Sequence, residues 1–276
     1  MVSKAASLFM ATRVRPPTFR TMPDHRVFHP SPATAVTELR LSPEESHHLV
    51  TVNRARAGDP VVAFDGIGTE WTCTLADADR RAATLRVEST RRHARTDAPI
   101  TLAQSLPKGG IMDDIVRHAT ELGAAAIEPL LTTRTQVHLD ANRSDRKTDK
   151  WRVTALEAAK QCGTPFLPRI GPVRALAEFL GETTGAPADS TLRLVASLHP
   201  GARTLKTVLT HWRANHAGDL PAAAIWLVGP EGDFTPEEIT ALTHAGYEPV
   251  TLGPLVLRCD TAATCALSIL RHELAG

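Results

Sequence analysis

The chain has 276 residues, 42% of them hydrophobic and 22% charged, with 17 glycines and 20 prolines. This is ordinary globular composition, long enough for two modest domains with a core each. Lys and Arg number 31 against 30 Asp and Glu, a formal net charge of +1, so a nucleic-acid reading must rest on where the arginines sit.

Residues 1–23 carry Lys4, Arg13, Arg15 and Arg20 and no acid. They read as a disordered basic arm rather than an organelle transit peptide, because the serine-rich amphipathic pattern is missing. From 26 to 92 the pattern is mainly β. Strand signals fall at 61–64, which ends in the turn signal Asp65-Gly66, and at 71–75 and 83–87. Ser42-Pro43-Glu44-Glu45 has the form of a capping box with proline at the first helical position, and opens a short helix to Val52. Short strands with one helix predict a small barrel-like unit. The polar, arginine-rich stretch 89–99 is the linker candidate.

Beyond it the rhythm changes. Strands are predicted at 100–106, 126–131, 191–197, 224–228 and 250–252. Helices are predicted at 110–123, 150–163, 202–215, 235–246 and 260–274, and the run 142–150 reads as a mobile solvated loop. Thr235-Pro236-Glu237-Glu238 is a second capping box. Strands alternating with helices predict a parallel sheet covered on both faces. No apolar run approaches the roughly 20 residues that span a bilayer. Cys73, Cys162, Cys259 and Cys265 show no CxxC pair or zinc spacing. The expectation is a cytoplasmic chain with reduced thiols, no membrane segment and no metal. His47-His48 is no metal pair, since adjacent side chains on a helix do not face one site.

Ligands of open α/β sheets bind beyond the carboxyl ends of the strands. Two such ends here are unusual: Val228-Gly229-Pro230-Glu231-Gly232, a tight Gly-Pro-Gly loop, and Leu252-Gly253-Pro254-Leu255-Val256-Leu257-Arg258, an apolar loop that delivers one arginine to a helix start. Neither GxxxxGK[ST] nor GxGxxG is present. A nucleotide-like ligand held without a phosphate clamp suits S-adenosylmethionine.

The chain resembles the ribosomal small-subunit uridine-N3 methyltransferase family of the SPOUT superfamily. The resemblance runs as an ordered series: Arg26-Val27-Phe28, His47-His48-Leu49-Val50, Gly58-Asp59, Phe64-Asp65-Gly66, Pro107-Lys108-Gly109, Met112-Asp113, Ala119-Thr120-Glu121-Leu122-Gly123, Pro129-Leu130, Glu157-Ala158 with Gln161, and then the two late loops. It implies a PUA-like RNA-binding β-barrel at 24–92 followed by a trefoil-knotted α/β methyltransferase domain at 99–276. It also implies a homodimer, S-adenosylmethionine as cofactor, and 16S rRNA or the small ribosomal subunit as partner, methylated at N3 of a uridine. Three departures stand out. Cys259-Asp260-Thr261 replaces the usual Thr-Glu-Thr, Asp233 replaces the second of two glycines, and Cys162-Gly163-Thr164 stands where Ser-Gly-Arg is common.

The expected cofactor residues are Ser197, Leu198, Val228, Gly229, Pro230, Glu231, Gly232, Leu252, Gly253, Leu255 and Leu257. Arg258 is the expected catalytic cation, with Asp260 beside it. An arginine stabilises an anionic ring but stays protonated, so the base is open between Asp260, Glu231 and hydroxide. Cys259 invites a covalent mechanism that N3 chemistry does not need. Arg54, Arg56, Lys108 and Arg134 are the candidate RNA contacts, the alternative being solvated charge. The rival functions are a ribose 2′-O methyltransferase of the same superfamily and a non-catalytic RNA-binding assembly factor. A phosphate-using α/β enzyme is disfavoured by the missing phosphate loop.

Overall fold

The computed structural model describes residues 25–30, 36–95, 97–137, 140–183, 190–199 and 201–274; the basic stretch 1–23 lies outside them. The first sheet holds β1 (Arg26–Phe28), β2 (Glu38–Arg40), β3 (Pro60–Phe64), β4 (Thr69–Asp77) and β5 (Thr84–Arg92), in the order β1-β3-β4-β5-β2. β1 runs parallel to β3, and the other pairs are antiparallel. Helix α1 (Pro43–His47) continues as a π-helical stretch, His48–Val52. Leu49 from this stretch joins Val27, Leu39, Val61, Trp71, Leu75 and Leu85 in the core of the unit. β5 runs on to Arg92, which pairs with Thr69, so the first four residues of the expected linker are strand.

The second sheet is parallel throughout. Its strands are β6 (Ile100–Ser105), β7 (Ala126–Leu131), β8 (Arg169–Ile170), β9 (Arg174–Ala175), β10 (Thr191–Ala196), β11 (Ala223–Val228) and β12 (Glu248–Val250). They lie in the order β12-β10-β11-β6-β7-β8, with β9 also on β7. The helices are α2 (Ile111–Glu121), α3 (Ala141–Cys162), α4 (Leu176–Thr183), α5 (Leu205–Asn215), α6 (Pro236–His244) and α7 (Cys259–Leu274). None among the described residues is long and apolar enough to cross a membrane.

Successive strand residues point to opposite faces, and both faces are dry here. Leu102, Leu194 and Trp226 enter a core with Met112, Ile115, Trp151, Leu267 and Leu270. Their neighbours Ala103, Val195 and Leu227 enter a second core with Phe179, Phe234, Leu242 and Tyr247. Each fully buried side chain of this size contributes roughly 1.5–3 kcal/mol of transfer free energy.

Four local expectations differ from the structure. Residues 142–150 are the first turns of α3, not a loop: Asp140 caps it by accepting from Arg143 N at 2.8 Å, and Asp113 of α2 binds Lys150 and accepts from Trp151 Nε1. Helix α4 carries no side-chain cap signal and includes Gly181, but Leu176, Phe179 and Leu180 reach the second core. β12 lies two residues earlier than predicted and includes Pro249, which an edge strand tolerates. At Ser42 only half a capping box forms. Ser42 Oγ accepts from Glu45 N, whereas the Glu45 carboxylate turns away to accept from Phe28 N at 3.0 Å and from Lys160 Nζ at 2.5 Å.

That diversion joins the two units. Lys160 of α3 and Glu45 of α1 are both nearly inaccessible, and Glu157 adds a second carboxylate at 3.0 Å. Arg26 pairs with buried Glu70 at 3.1 Å and extends to Thr164 O. Gly68, at φ +107°, accepts His93 N and donates to Pro165 O. A side chain there would strike the Phe166 ring at 2.6 Å, so the contact requires glycine.

Removing one member of a buried ion pair leaves the other uncompensated. Lys160→Ala should therefore lower stability by about 3 kcal/mol in urea unfolding. The double variant Lys160→Met with Glu45→Gln leaves no buried charge, Glu157 being half exposed, and should recover most of that loss; a mild single variant would show that the pair is not what joins the units.

Candidate functional site

Three strand ends converge on one edge of the second sheet. The chain leaves β10 at Ser197-Leu198, β11 at Gly229, and β12 at Thr251, and the three connections enclose a cavity of about 330 Å³. Ala196, Ser197 and Leu198 line it from β10. Val228, Gly229, Pro230, Glu231 and Asp233 line it from β11, and Leu252, Leu255, Val256, Leu257, Arg258, Cys259 and Ala262 from the last loop and α7.

The 229–234 loop is fixed from three sides. Asp233 N donates to Pro230 O at 2.9 Å and closes the turn. Glu231 Oε1 accepts from Lys108 N at 2.9 Å, which ties the loop to the segment after β6. Arg134, from the segment after β7, donates to Gly232 O at 2.7 Å and to Phe234 O. Phe234 is buried in the second core, and Thr235 opens α6 with a complete capping box. Glu238 of that box also accepts from Thr133 N and Oγ1, a further clamp on the 132–135 segment. A Cβ on Gly229 would stand 3.2 Å from the Phe234 ring, so a side chain there would have to push the ring aside by a few tenths of an ångström.

The last loop is held more lightly. Thr251 Oγ1 bridges N and O of Gly253. Leu255 and Val256 then stand 72% and 84% exposed at the cavity mouth. Arg258 is also exposed; its Nε lies 3.7 Å from Asp260 Oδ1, and its carbonyl accepts the first α7 bond from Ala262 N. Cys259 Sγ donates to Gly229 O at 3.6 Å, so the two late loops touch beneath the cavity. On the opposite lip, His199 Nε2 stands 3.8 Å from Asp233 Oδ2.

The sequence-predicted residues divide cleanly. Ser197, Leu198, Val228, Gly229, Pro230, Glu231, Leu252, Leu255, Leu257 and Arg258 all line the cavity. Gly232, Gly253 and Asp260 do not. Gly232 packs on the Arg134 side chain, Gly253 makes a left-handed turn at φ +121°, and Asp260 stands behind Arg258. Lys108 is exposed beside the cavity, while Arg134 Nη1 is engaged by loop carbonyls. Arg54, at φ +58°, and Arg56 are exposed on the first unit. Sequence reasoning left out Ala196, Asp233, Val256, Cys259 and Ala262. Their place one or two residues from chosen positions was the available signal. Among the described residues no group of three or more His, Cys, Asp or Glu is arranged to hold a metal.

Comparison with known proteins adds the family. Residues 94–271 match the model of an RNA methyltransferase domain, and residues 41–88 that of an RNA methyltransferase PUA domain. A ribosomal RNA small subunit methyltransferase E from Synechocystis is 33% identical over 228 residues, 83% of this chain and 71% of that protein. The protein of the same name from Mycobacterium bovis is 33% identical over 81% of this chain and 82% of its own. The crystal structure of a ribosomal RNA small subunit methyltransferase E from Neisseria gonorrhoeae bound to S-adenosyl methionine superposes with a TM-score of 0.79 at 26% identity, covering 91% of this chain and 98% of that one. With the cavity at the strand ends and both family models in sequence order, this chain belongs to the ribosomal RNA small subunit methyltransferase E family.

Proposed function

We propose that the chain is an S-adenosylmethionine-dependent methyltransferase acting on N3 of a uridine in 16S ribosomal RNA, in the cytoplasm and as a homodimer. The observation that carries this is the cavity itself: largely apolar, at the carboxyl ends of three parallel strands, with one arginine at its mouth. Its residues fit the cofactor. Leu198, Val228, Leu252, Leu255 and Leu257 offer walls for a flat adenine, Glu231 and Asp233 face a cationic ligand, and neither late loop is a phosphate cradle. When bound, S-adenosylmethionine supplies an electrophilic methyl group on a positively charged sulfur.

The chain's own residues do the rest. Glu231 and Arg134 fix the cavity loop before any ligand arrives, so binding need not order it. Arg258 projects into the approach to the cavity, where its guanidinium stabilises the anionic uracil ring that exists once N3 loses its proton. Asp260 Oδ1 stands 3.7 Å from the Arg258 Nε, close enough to attract the guanidinium without a hydrogen bond. Glu231 lines the cavity and Asp260 does not, so proton acceptance falls to Glu231 or to solvent. Cys259 is no nucleophile. Burial, reinforced by the Glu231 carboxylate, pushes its thiol up to about 11, so the thiolate is scarce at neutral pH.

The remaining expectations belong to the same reading. The strand order supports the knot: β11 inserts between β10 and β6, and the chain then returns past β10 to the sheet edge. Exposed Leu255 and Val256 support a cover for the mouth supplied by RNA or by a second copy. Exposed Arg54, Arg56 and Lys108 are the RNA contacts it favours, with Arg134 acting through the loop it holds.

Two outcomes test this. In calorimetric titration, Arg258→Ala should bind S-adenosylmethionine at least as tightly as wild type, since it removes a lining cation, while it methylates small-subunit rRNA about a hundredfold or more slower. Nucleoside analysis of the product should give N3-methyluridine, and a 2′-O-methyl product would overturn the N3 assignment. The Cys259 thiol should resist iodoacetamide in the folded protein at pH 8, reacting faster only as pH climbs toward about 11.

A further inference from the structure

Asp233 lines the cavity from a backbone conformation that few side chains adopt. Its backbone lies at φ +59°, a region natural to glycine and open to aspartate because its short side chain can bond locally. That side chain lines the cavity. Its Oδ1 accepts from Phe234 N at 2.8 Å and stands 3.4 Å from where a Cβ on Gly229 would be. Its Oδ2 faces His199 Nε2 at 3.8 Å. The carboxylate is thereby held in place at the cavity lining, with 43% of the side chain still open to solvent.

The charged lining is then two carboxylates, Glu231 and Asp233, against Arg258. Glu231 is tied to a backbone N–H and Arg258 leans toward Asp260. We propose that Asp233 is a specificity-determining residue that makes the cavity distinguish S-adenosylmethionine from S-adenosylhomocysteine by the charge on sulfur. This rests on the cofactor reading above.

The two molecules share adenosine, ammonium and carboxylate, and differ by one methyl group and one positive charge. A fixed negative charge in the lining therefore changes their relative affinity through the sulfur alone. Asp233 lines a cavity of about 330 Å³, so a sulfonium bound within it falls inside the roughly 10 Å over which salt screens charge. Apolar side chains make up much of the lining, but the mouth is open and the Asp233 side chain is partly exposed, so solvent screens the interaction to the strength of a surface charge pair. A glycine at 233 leaves Glu231 alone in this role. The added carboxylate biases the site toward the charged methyl donor and against the neutral product left after transfer.

The test is calorimetric titration of wild type, Asp233→Asn and Asp233→Gly with each ligand separately, with circular dichroism to confirm folding. Asparagine tolerates the same backbone and keeps an acceptor for Phe234 N, so it removes charge without removing shape. Both variants should lose about two- to fivefold in the ratio of the two affinities, through weaker binding of S-adenosylmethionine. An unchanged ratio in both, or equal weakening of both ligands, overturns the proposal while leaving the cofactor reading intact. Loss of the ratio in Asp233→Gly alone also overturns it, by assigning the effect to shape. A folded wild type that binds neither ligand overturns the cofactor reading, and this inference with it.

Discussion

The placement of β11 between β10 and β6 sets the geometry on which the cavity depends. A parallel strand buried on both faces cannot slide without moving apolar side chains out of two cores at once, and Trp226 and Leu227 belong one to each. The end of β11 is thus fixed in register, and Gly229 leaves it at a defined point. From there the loop has little freedom. Glu231 is caught by the segment after β6, Gly232 by Arg134, and the Gly229 carbonyl by Cys259. The cavity is rigid where the chain leaves β11 and open where Leu255 and Val256 lie in solvent.

This division has a chemical counterpart. The rigid side carries the carboxylates and the backbone groups, whose value depends on fixed position. The open side carries Arg258 and apolar side chains, which must meet a large partner whose approach cannot be blocked. Asp260, withdrawn from the lining, attracts the guanidinium from outside it.

Much of this was legible in the sequence. The strand–helix rhythm after residue 100 gave the parallel sheet, and the Gly-Pro loops gave the strand ends that matter, because backbone approach and tight turns demand those residue types. The misses have physical causes. Charge along 142–150 resembles a solvated loop until Asp113 supplies a partner from α2. Glu45 matches a capping box until a lysine 115 residues away claims it. Arg134 reads as a free cation, and only the fold brings Gly232 O to it. Gly232 and Gly253, expected to hold the cofactor through backbone groups, lie outside the lining, one packed on Arg134 and the other in a left-handed turn. For the start of α3, for Glu45 and for Arg134, a long-range contact decided between two readings that were locally equal.

The junction between the two units carries a consequence for how such proteins can be rearranged. By sheet they are separate, and barrels of this kind look like parts that exchange freely between enzymes. Yet α3 keeps Lys160 nearly inaccessible with its charge answered from α1, and the 164–167 segment is matched to Gly66 and Gly68. A different barrel grafted onto this frame would leave Lys160 with Glu157 alone, on the exposed side of its own helix, and would inherit a mismatched seam. The pair is therefore transmitted as a unit, its modularity limited by one helix turn of the enzyme half.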